Sequence, residues 1–376
     1  MGTTLPKLYA NGGFDVEHKI DPDLFTDSCT ALNEAVDRAV KLSVKWGKPD
    51  KGFIRELKRN NAVFAAFKAH REQNDLAGLL VDDDGNARSF DSFRRAAAPV
   101  IGEYNVNWLQ TEYATAVRVA RTAVRFKQYE KDGDLYPNAE WLPSRAAEPR
   151  MSHRKYYHTV RRLTDPWWET HYPGCVWGCQ CDMRNTDKPI THIGDNPAAP
   201  GAEPTTVPPS EEAGVRSPGL SRNPARSGEL FSRDHPYFTS AYPGAEKAVA
   251  KKMQTIDVKQ ARKEVQEWAK REVVGKSFLN QEIGKEIEVT STGIKEALNQ
   301  PHKYIREKNE AIRNIKQIIH EAHRVLYRPD DKGNQMVVGY HYLEFELAGE
   351  KSYIVIRETK DGRLMFYSVV DKIKGR

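Results

Sequence analysis

The sequence predicts a multidomain protein. A mainly α-helical N-terminal domain ends in an irregular region rich in aromatic, Cys and His residues. A disordered Pro-rich linker follows, and the C-terminal domain is α+β with an antiparallel sheet. Three observations predict this organisation: apolar residues recur at helical spacing before Lys131, eight prolines fall between Lys188 and Gly228, and alternating strands close the chain after Met336.

Length and charge exclude some classes of protein. The chain has 376 residues, 29% of them charged, and a net charge of +6, and this length suits about two or three domains. The charge balance permits contact with nucleic acid without requiring it. No stretch approaches the roughly 18 apolar residues of a membrane span, and the N-terminus lacks the apolar core of a signal peptide. We therefore expect no membrane partner and synthesis in the cytoplasm.

The N-terminal part is predicted to be an extension over 1–29 and a helical domain over 30–187. Apolar residues at three- and four-residue steps predict a helix from about Ser28 and further helices over 53–71, 90–101 and 108–127. Between Lys131 and Pro149 frequent Pro and Gly residues indicate irregular structure.

The segment 150–181 is rich in cysteine, tryptophan and histidine. It contains three of the four cysteines, three of the seven tryptophans and three of the eleven histidines. Large aromatic side chains stabilise loop-rich segments by burying much area, so we expect the tryptophans to be structural. The cysteines and histidines leave more than one interpretation open.

The segment admits three interpretations. In one, His153, Cys179 and Cys181 bind a structural zinc ion, because imidazole and thiolates are zinc ligands. In another, the cysteines are small apolar residues of a loop, and Arg150 and His153 pair with Asp165. A zinc-dependent hydrolase is the weakest of the three, because no carboxylate base is adjacent to these ligands in sequence.

The same segment resembles the C-terminal signature of the phage Mu F-like (MuF) head-morphogenesis family. The motifs that carry the resemblance are Arg150-X-X-His153, Asp165-Pro-X-Trp168, Tyr172-Pro173 and Trp177-Gly-Cys179-X-Cys181. Where the family usually has Cys-Arg-Cys, this chain has Gln180 in the middle, and it has an additional Cys175. The resemblance covers about residues 30–190. It implies a minor head protein of the virion, in the capsid interior, with portal and capsid proteins as partners.

The amino-acid composition of the chain changes after Asp187. Residues 188–228 are predicted to be a linker, because they contain almost no large apolar residues. Residues 229–376 are predicted to form the α+β domain, with a core over 280–372. Helices are expected over 257–273, over 293–299 with Ser291 or Thr292 as its cap, and over 304–327. Strands are expected over 286–290, 337–347, 352–358 and 364–370.

This order of elements resembles the barnase–EndoU–colicin–RelE-like (BECR) ribonuclease domains. The resemblance also rests on the pattern Gly293-Ile-Lys-Glu, His302-Lys-Tyr and Ile318-Ile. Such domains occur as C-terminal payloads of MuF proteins. The resemblance therefore implies an RNA endonuclease toxin that acts in the cytoplasm of a bacterial host, with RNA as substrate and a cognate immunity protein as partner.

Metal-independent RNA cleavage needs an acid, a base and cations for the developing phosphate charge, and no cofactor. His302 is the best acid/base candidate because it precedes a predicted helix, beside Lys303. The other predicted catalytic residues are Arg357, Tyr353 and His341. Substrate phosphate or bases are predicted to contact Thr290, Ser291, Tyr340 and Tyr367.

A different class of function remains open for the same domain. The chain would then be a purely structural head protein whose C-terminal domain binds capsid, portal or nucleic acid without catalysis. Convergence of His302 with cationic and aromatic neighbours favours the enzyme, whereas a sheet face without a convergent polar cluster favours the binder.

Overall fold

In the computed structural model, residues 3–43, 47, 49–193, 196–197, 216–331 and 333–373 are described. The chain divides into two compact units, Met1–Met253 and Gln254–Arg376, and the division differs from the predicted boundary after Gly228. Most of the predicted linker lies outside the described residues. None of the helices in the described ranges has the length and apolar character that a membrane span requires.

Helices dominate the first unit, as predicted. Three long helices form its core, and α2 packs against both α3 and α5. A six-residue π-helical segment, Glu103–Trp108, joins α4 to α5. Side chains of Asp50 and Ser89 cap the starts of α3 and α4 by accepting hydrogen bonds from backbone N–H groups. The helices are α1 (Thr4–Asn11), α2 (Pro22–Ser43), α3 (Lys51–Gly78), α4 (Phe90–Gly102) and α5 (Leu109–Lys131).

The second half of the first unit contains a small antiparallel sheet in the order β2-β1-β3. Strand β1 lies between Lys131 and Pro149, a stretch that the sequence predicted to be irregular. The prediction was wrong for these residues. Its Trp141 is fully buried, and the strand therefore carries part of the core. The elements are β1 (Asn138–Leu142), α6 (Met151–Arg154), β2 (Val160–Arg162), a 3-10 turn (Pro166–Glu169) and β3 (Asp182–Thr186). The residue pairs β4 (His192–Ile193) and β5 (Asn196–Pro197) form a separate two-stranded ladder.

Residues 216–228, predicted to belong to the linker, are packed in the first unit. Leu220 and Ala225 are buried, and further along Phe231 is fully buried. The ring of Phe231 stacks on that of Phe64 with centroids 4.0 Å apart, and its N–H donates to Asn60 at 2.9 Å. Phe231 therefore packs on α3, and the short helix Pro224–Ser227 packs on α5. The short helix α7 (Pro224–Ser227) lies in this segment, and α8 (Pro236–Thr239) follows it.

A six-stranded sheet in the order β6-β7-β11-β10-β9-β8 forms the second unit. All neighbours are antiparallel except β7 and β11, which are parallel, so the sheet is mixed rather than antiparallel as predicted. Apolar side chains of one sheet face pack with α9, α10 and α12 in a single core. The elements are α9 (Ala245–Glu272, of which residues from Gln254 belong to this unit), β6 (Ser277–Asn280), β7 (Lys285–Val289), α10 (Ser291–Asn299), α11 (Ile305–Ala311), α12 (Ile315–Glu321), β8 (His323–Pro329), β9 (Val337–Leu347), β10 (Glu350–Thr359) and β11 (Leu364–Val370).

The prediction of one helix over 304–327 was wrong. Helix α12 ends at Glu321, and the following residues form the edge strand β8, which pairs with β9. The side chain of Asn280 donates hydrogen bonds to the carbonyl oxygens of Ile319 and Ala322, at 2.6 and 2.9 Å. These bonds satisfy carbonyl groups at the end of α12 and so terminate the helix there. Val325 and Tyr327 then fit a strand, for which β-branched and aromatic residues are suited.

Candidate functional site

The structure places the predicted ribonuclease residues at four separate positions of the second unit. His302 and Lys303 lie beside the start of β10, and His341 lies near the other end of that strand. Arg357, Tyr353, Tyr340 and Tyr367 are on the opposite sheet face, and Thr290 with Ser291 begins α10. The structure therefore does not bring these side chains together at one point, and their roles stay predictions.

His302 has a polar contact at each of its two ring nitrogens. Its Nε2 lies 3.3 Å from Ser352 Oγ, and its Nδ1 accepts a hydrogen bond from the N–H of Tyr304 at 3.0 Å. Burial lowers the pKa of the imidazole, against the attraction of the Asp371 carboxylate. Because Nδ1 accepts a hydrogen bond, the neutral ring carries its proton on Nε2 and donates it towards Ser352 Oγ, which is the arrangement of a hydrogen-bond donor or general acid.

The charge beside His302 is largely balanced. Lys303 Nζ lies 2.6 Å from a carboxylate oxygen of Glu350, and the hydroxyl of Tyr304 donates to the same oxygen at 2.6 Å. Sequence reasoning missed Glu350 and Ser352 because only strand pairing brings the start of β10 to the residues before α11. No local sequence signal identifies them.

His341 lies away from His302. It is directly opposite Ile356 on the helix-packed face, is 7% exposed, and its Nε2 lies 3.0 Å from a carboxylate oxygen of Glu358. Ser352, which contacts His302, is paired with Phe345, four strand positions from His341, and this corresponds to about 13 Å at the rise of a β-strand. His341 and His302 therefore do not form one compact pair.

An aromatic and cationic cluster occupies the sheet face opposite the helices. Arg357 is paired in register with Tyr340, and its guanidinium lies 4.0 Å from the centroid of the Tyr367 ring. The rings of Tyr340 and Tyr367 have centroids 5.8 Å apart. A register shift between Val355 and Ile356 places Tyr367 beside Arg357. The two rings are tilted at 47° and not stacked on each other, and aromatic rings beside an arginine are suited to stacking with a nucleobase.

Thr290 has a structural task. Its hydroxyl oxygen accepts a hydrogen bond from the N–H of Gly293 at 3.1 Å, so Thr290 is the N-cap of α10, rather than Ser291 or Thr292 as predicted. Ser291 is the first residue of that helix and is exposed. Neither residue contacts the His302 neighbourhood in the contacts that the described residues make.

A second site lies in the first unit, where three cysteines surround His153. The Sγ atoms of Cys179 and Cys181 lie 3.5 and 3.7 Å from His153 Nδ1, and Cys175 Sγ lies 3.9 Å from Nε2. His153 is on α6, and the cysteines lie on consecutive tight turns before β3. Among the described residues, His153, Cys179 and Cys181 are the group with metal-binding geometry.

The donor atoms fit a zinc ion. Two ligands of a tetrahedral zinc, one sulfur and one nitrogen, lie about 3.6 Å apart by their bond lengths, close to the separations above. The contact with Cys181 lowers the pKa of the Cys179 thiol to about 4, with a further lowering by His153 and an opposing effect of burial. The thiolate is the form that binds metal. The alternative pairing of Arg150 and His153 with Asp165 is wrong: Arg161 pairs with Asp165 at 2.9 Å, and Arg150 donates to the carbonyl oxygen of Trp177 at 2.7 Å.

Comparison with known proteins points to phage proteins. Residues 256–367, which span most of the sheet unit, match the family described as large polyvalent protein-associated domain 3. The chain is also similar to F proteins of phage Mu and of a Mu-like prophage. Over 108 residues it is 32% identical to the putative capsid assembly protein F of Escherichia phage Mu, which is 28% of this chain and 22% of that protein.

A second relative gives the same result. The Mu-like prophage FluMu F protein of Haemophilus influenzae is 29% identical over 104 residues, or 28% of this chain and 22% of the relative. The chain thus spans about a fifth of the length of these curated relatives. No solved structure matches the chain. Both relatives support a phage head protein, and neither supports a ribonuclease toxin.

Proposed function

We propose that this chain is a minor head protein of a Mu-like phage or prophage, which associates with portal or capsid proteins inside the virion. The observation that supports the proposal is the 32% identity over 108 residues to a capsid assembly protein of phage Mu. The aromatic Cys and His segment after α5 agrees with the MuF signature in its motifs. In this proposal the first unit is the part that assembles into the head.

The experiment follows the full chain through particle assembly. The chain carries an epitope tag in the phage that encodes it, and particles are purified on a density gradient after protease treatment. We expect the tagged chain to co-purify with protease-treated particles, because an interior protein is shielded by the shell. The same tagged chain expressed without other head proteins is the control and should remain at the top of the gradient. Recovery of the chain only in the free protein fractions would contradict the proposal.

We further propose that His153, Cys179 and Cys181 hold a zinc ion that is structural. Zinc would join α6 to the turns before β3, a region that otherwise has little regular structure. Metal analysis of the purified full chain should find about one zinc per chain, and chelation should lower its Tm. Cys179→Ser should abolish zinc binding, whereas Cys29→Ser, on α2 away from the cluster, should leave it unchanged. Equal zinc content in both variants would refute the site.

A ribonuclease activity of the second unit is the second candidate function, and one observation favours it. His302 lies with Ser352, Lys303, Tyr304 and Glu350 in one polar neighbourhood, which offers an imidazole N–H as a proton donor, a carboxylate and a cation without a metal. The chain would then carry a toxin into a bacterial cytoplasm, and its producer would need an immunity protein. The separation of Arg357, Tyr340 and Tyr367 from His302 favours binding of nucleic acid without catalysis instead.

The two functions of the second unit are separated by an RNA cleavage assay with the full chain in EDTA. If the unit is a nuclease, the parent protein cleaves RNA and the His302→Asn variant does not. The control variant His323→Asn should cleave RNA as the parent does, because the side chain of His323 is 81% exposed on the edge strand. Cleavage that survives His302→Asn would eliminate His302 as the acid/base residue. RNA binding without cleavage, weakened by Arg357→Ala, would establish the binding function.

A further inference from the structure

The three cysteines of the first unit do not contact His153 in the same way. Cys179 and Cys181 lie at Nδ1, at 3.5 and 3.7 Å, whereas Cys175 lies at Nε2, at 3.9 Å. An imidazole binds a metal through one nitrogen, and its other nitrogen commonly donates a hydrogen bond that fixes the tautomer and the ring orientation. Cys175 is fully buried, and it is placed to accept that hydrogen bond.

The ligand side of the cluster opens onto a pocket. This pocket has a volume of about 370 Å³ and is lined by His153, Cys179 and Cys181 but not by Cys175. The volume lies in the range of about 300–1,000 Å³ that small-molecule sites have. The zinc proposed above still joins α6 to the turns before β3, but with three protein ligands it has one position open to solvent or ligand, unlike a closed site with four protein ligands.

The open coordination position of a metal favours an anion here, whereas the charges of Arg150 and Glu148, which both line the pocket, offset each other. Two thiolates and a neutral imidazole balance the charge of Zn²⁺, so the centre itself is neutral. Arg150 lines the pocket beside the centre, and its guanidinium adds positive charge. Glu148 also lines the pocket and is the one carboxylate of the lining residues that offers an internal alternative as a ligand.

We propose that the metal of this centre has three protein ligands, His153 Nδ1, Cys179 and Cys181, and that its fourth position takes an exchangeable monodentate anion from the pocket. Cys175 is a positioning residue at the opposite nitrogen and not a ligand. The inference rests on the zinc site proposed above. It adds a binding function to that site, since a small anion or an acidic group of another molecule gains access to the metal.

The test uses cobalt(II) in place of zinc in the full chain, with azide as the probe. Cobalt has visible absorption bands that report its coordination, and thiolate ligands add charge-transfer absorption. We expect azide to shift the visible bands with a saturable dependence on concentration. Cys175→Ser should retain the charge-transfer intensity of the parent, and Cys179→Ser should lose cobalt binding or about half of that intensity, because one of two thiolates is removed.

Four other outcomes would contradict the inference, and each would point to a different conclusion about the site. If no variant and no parent protein binds cobalt, the zinc proposal itself fails. If cobalt binds and azide leaves the bands unchanged, the fourth position is closed. A loss of charge-transfer intensity in Cys175→Ser would make Cys175 the fourth ligand. An azide response that arises only in Glu148→Gln would make Glu148 the fourth ligand.

Discussion

The ammonium of Lys68 lies 2.5 Å from a carboxylate oxygen of Glu112, and both side chains are buried, Lys68 with no exposure at all. The pair joins α3 to α5 in the core of the first unit. The second carboxylate oxygen of Glu112 accepts a hydrogen bond from the hydroxyl of Tyr237 at 2.9 Å, so the segment after the predicted linker is tied to the same pair. A buried ion pair of this kind is costly to break because the remaining charge stays out of water.

Removal of one partner should therefore destabilise the first unit strongly. We expect Lys68→Met to lower its free energy of unfolding by about 3–5 kcal/mol, because Glu112 is left buried without its counter-ion. The double variant Lys68→Met with Glu112→Gln should recover most of the loss. Urea unfolding followed by tryptophan fluorescence measures this unit, since only Trp268 lies in the other. A double variant as unstable as the single one would show that the pair is not coupled.

The stability of the first unit should depend on pH through Glu72. Burial raises the pKa of this carboxyl to about 7, against the hydrogen bond from Asn105. Because the folded pKa exceeds the unfolded value near 4.5, stability is highest below that value and falls as the pH rises to about 7. The fall is on the order of 3 kcal/mol.

Glu72→Gln removes this dependence. The variant keeps an acceptor for Asn105 and carries no charge, so we expect it to equal the parent at low pH and to exceed its stability above about pH 7. Urea midpoints of both proteins across this range, compared at each pH, isolate the contribution of the one group. Parallel curves for variant and parent would exclude a raised pKa at Glu72.

Gly293 is required by close packing and not by its backbone angles. A Cβ atom at this position would lie 1.9 Å from the carbonyl oxygen of Phe366 on β11. We expect Gly293→Ala to destabilise the second unit by about 1–3 kcal/mol, although alanine is the better helix former. Lys295→Ala, on the exposed side of the same helix, is the matched control and should change the stability little. Calorimetry of the full chain measures the transition of this unit, and equal transitions in both variants would refute the packing argument.

Ala348 is the first residue of the two-residue turn between β9 and β10, and its φ is +51°, followed by Gly349 at +76°. Left-handed φ at both positions is the geometry of a type I′ turn, in which Asn-Gly is strongly preferred. Ala348→Asn should therefore stabilise the second unit by about 0.5–2 kcal/mol. Ala348→Val should destabilise it, because a β-branched side chain is strained at this φ. Calorimetry of the full chain measures whether the two substitutions change the stability of the second unit in opposite directions.

Much of the local structure could be predicted because its signal lies within a few residues. Helices α2 to α5 and strands β9 to β11 follow apolar periodicity, and the turn at Ala348-Gly349 has its own residue pattern. Residue type alone also suggests the cluster of His153 with Cys179 and Cys181. It does not suggest the contact of Cys175 with the second nitrogen of His153, since that contact depends on the orientation of a ring.

The predicted ribonuclease site failed to converge because strand register and sheet face are not local properties. His341 and Arg357 are both on strands with clear alternation, yet one lies among the helices and the other on the opposite face. A shift in register beside Ile356 moves Tyr367 toward Arg357, and nothing in the alternation of β11 indicates it. Ser352, the partner of His302, and Glu350, the partner of Lys303 and Tyr304, became visible only in the tertiary structure.

By itself, the sequence determined helices α2 to α5, strands β9 to β11, and which residues could bind a metal. Spacing and residue type suffice for this, because contiguous residues set the period of an amphipathic element. Tertiary structure alone decided that β7 and β11 are parallel, that residues after Glu321 form a strand and not a helix, and that Phe231 packs on α3. The physical reason is that these outcomes depend on burial and hydrogen bonding between residues far apart in the chain. An example is the pair of hydrogen bonds that Asn280 donates to carbonyl oxygens at the end of α12, because they end the helix where strand β8 begins.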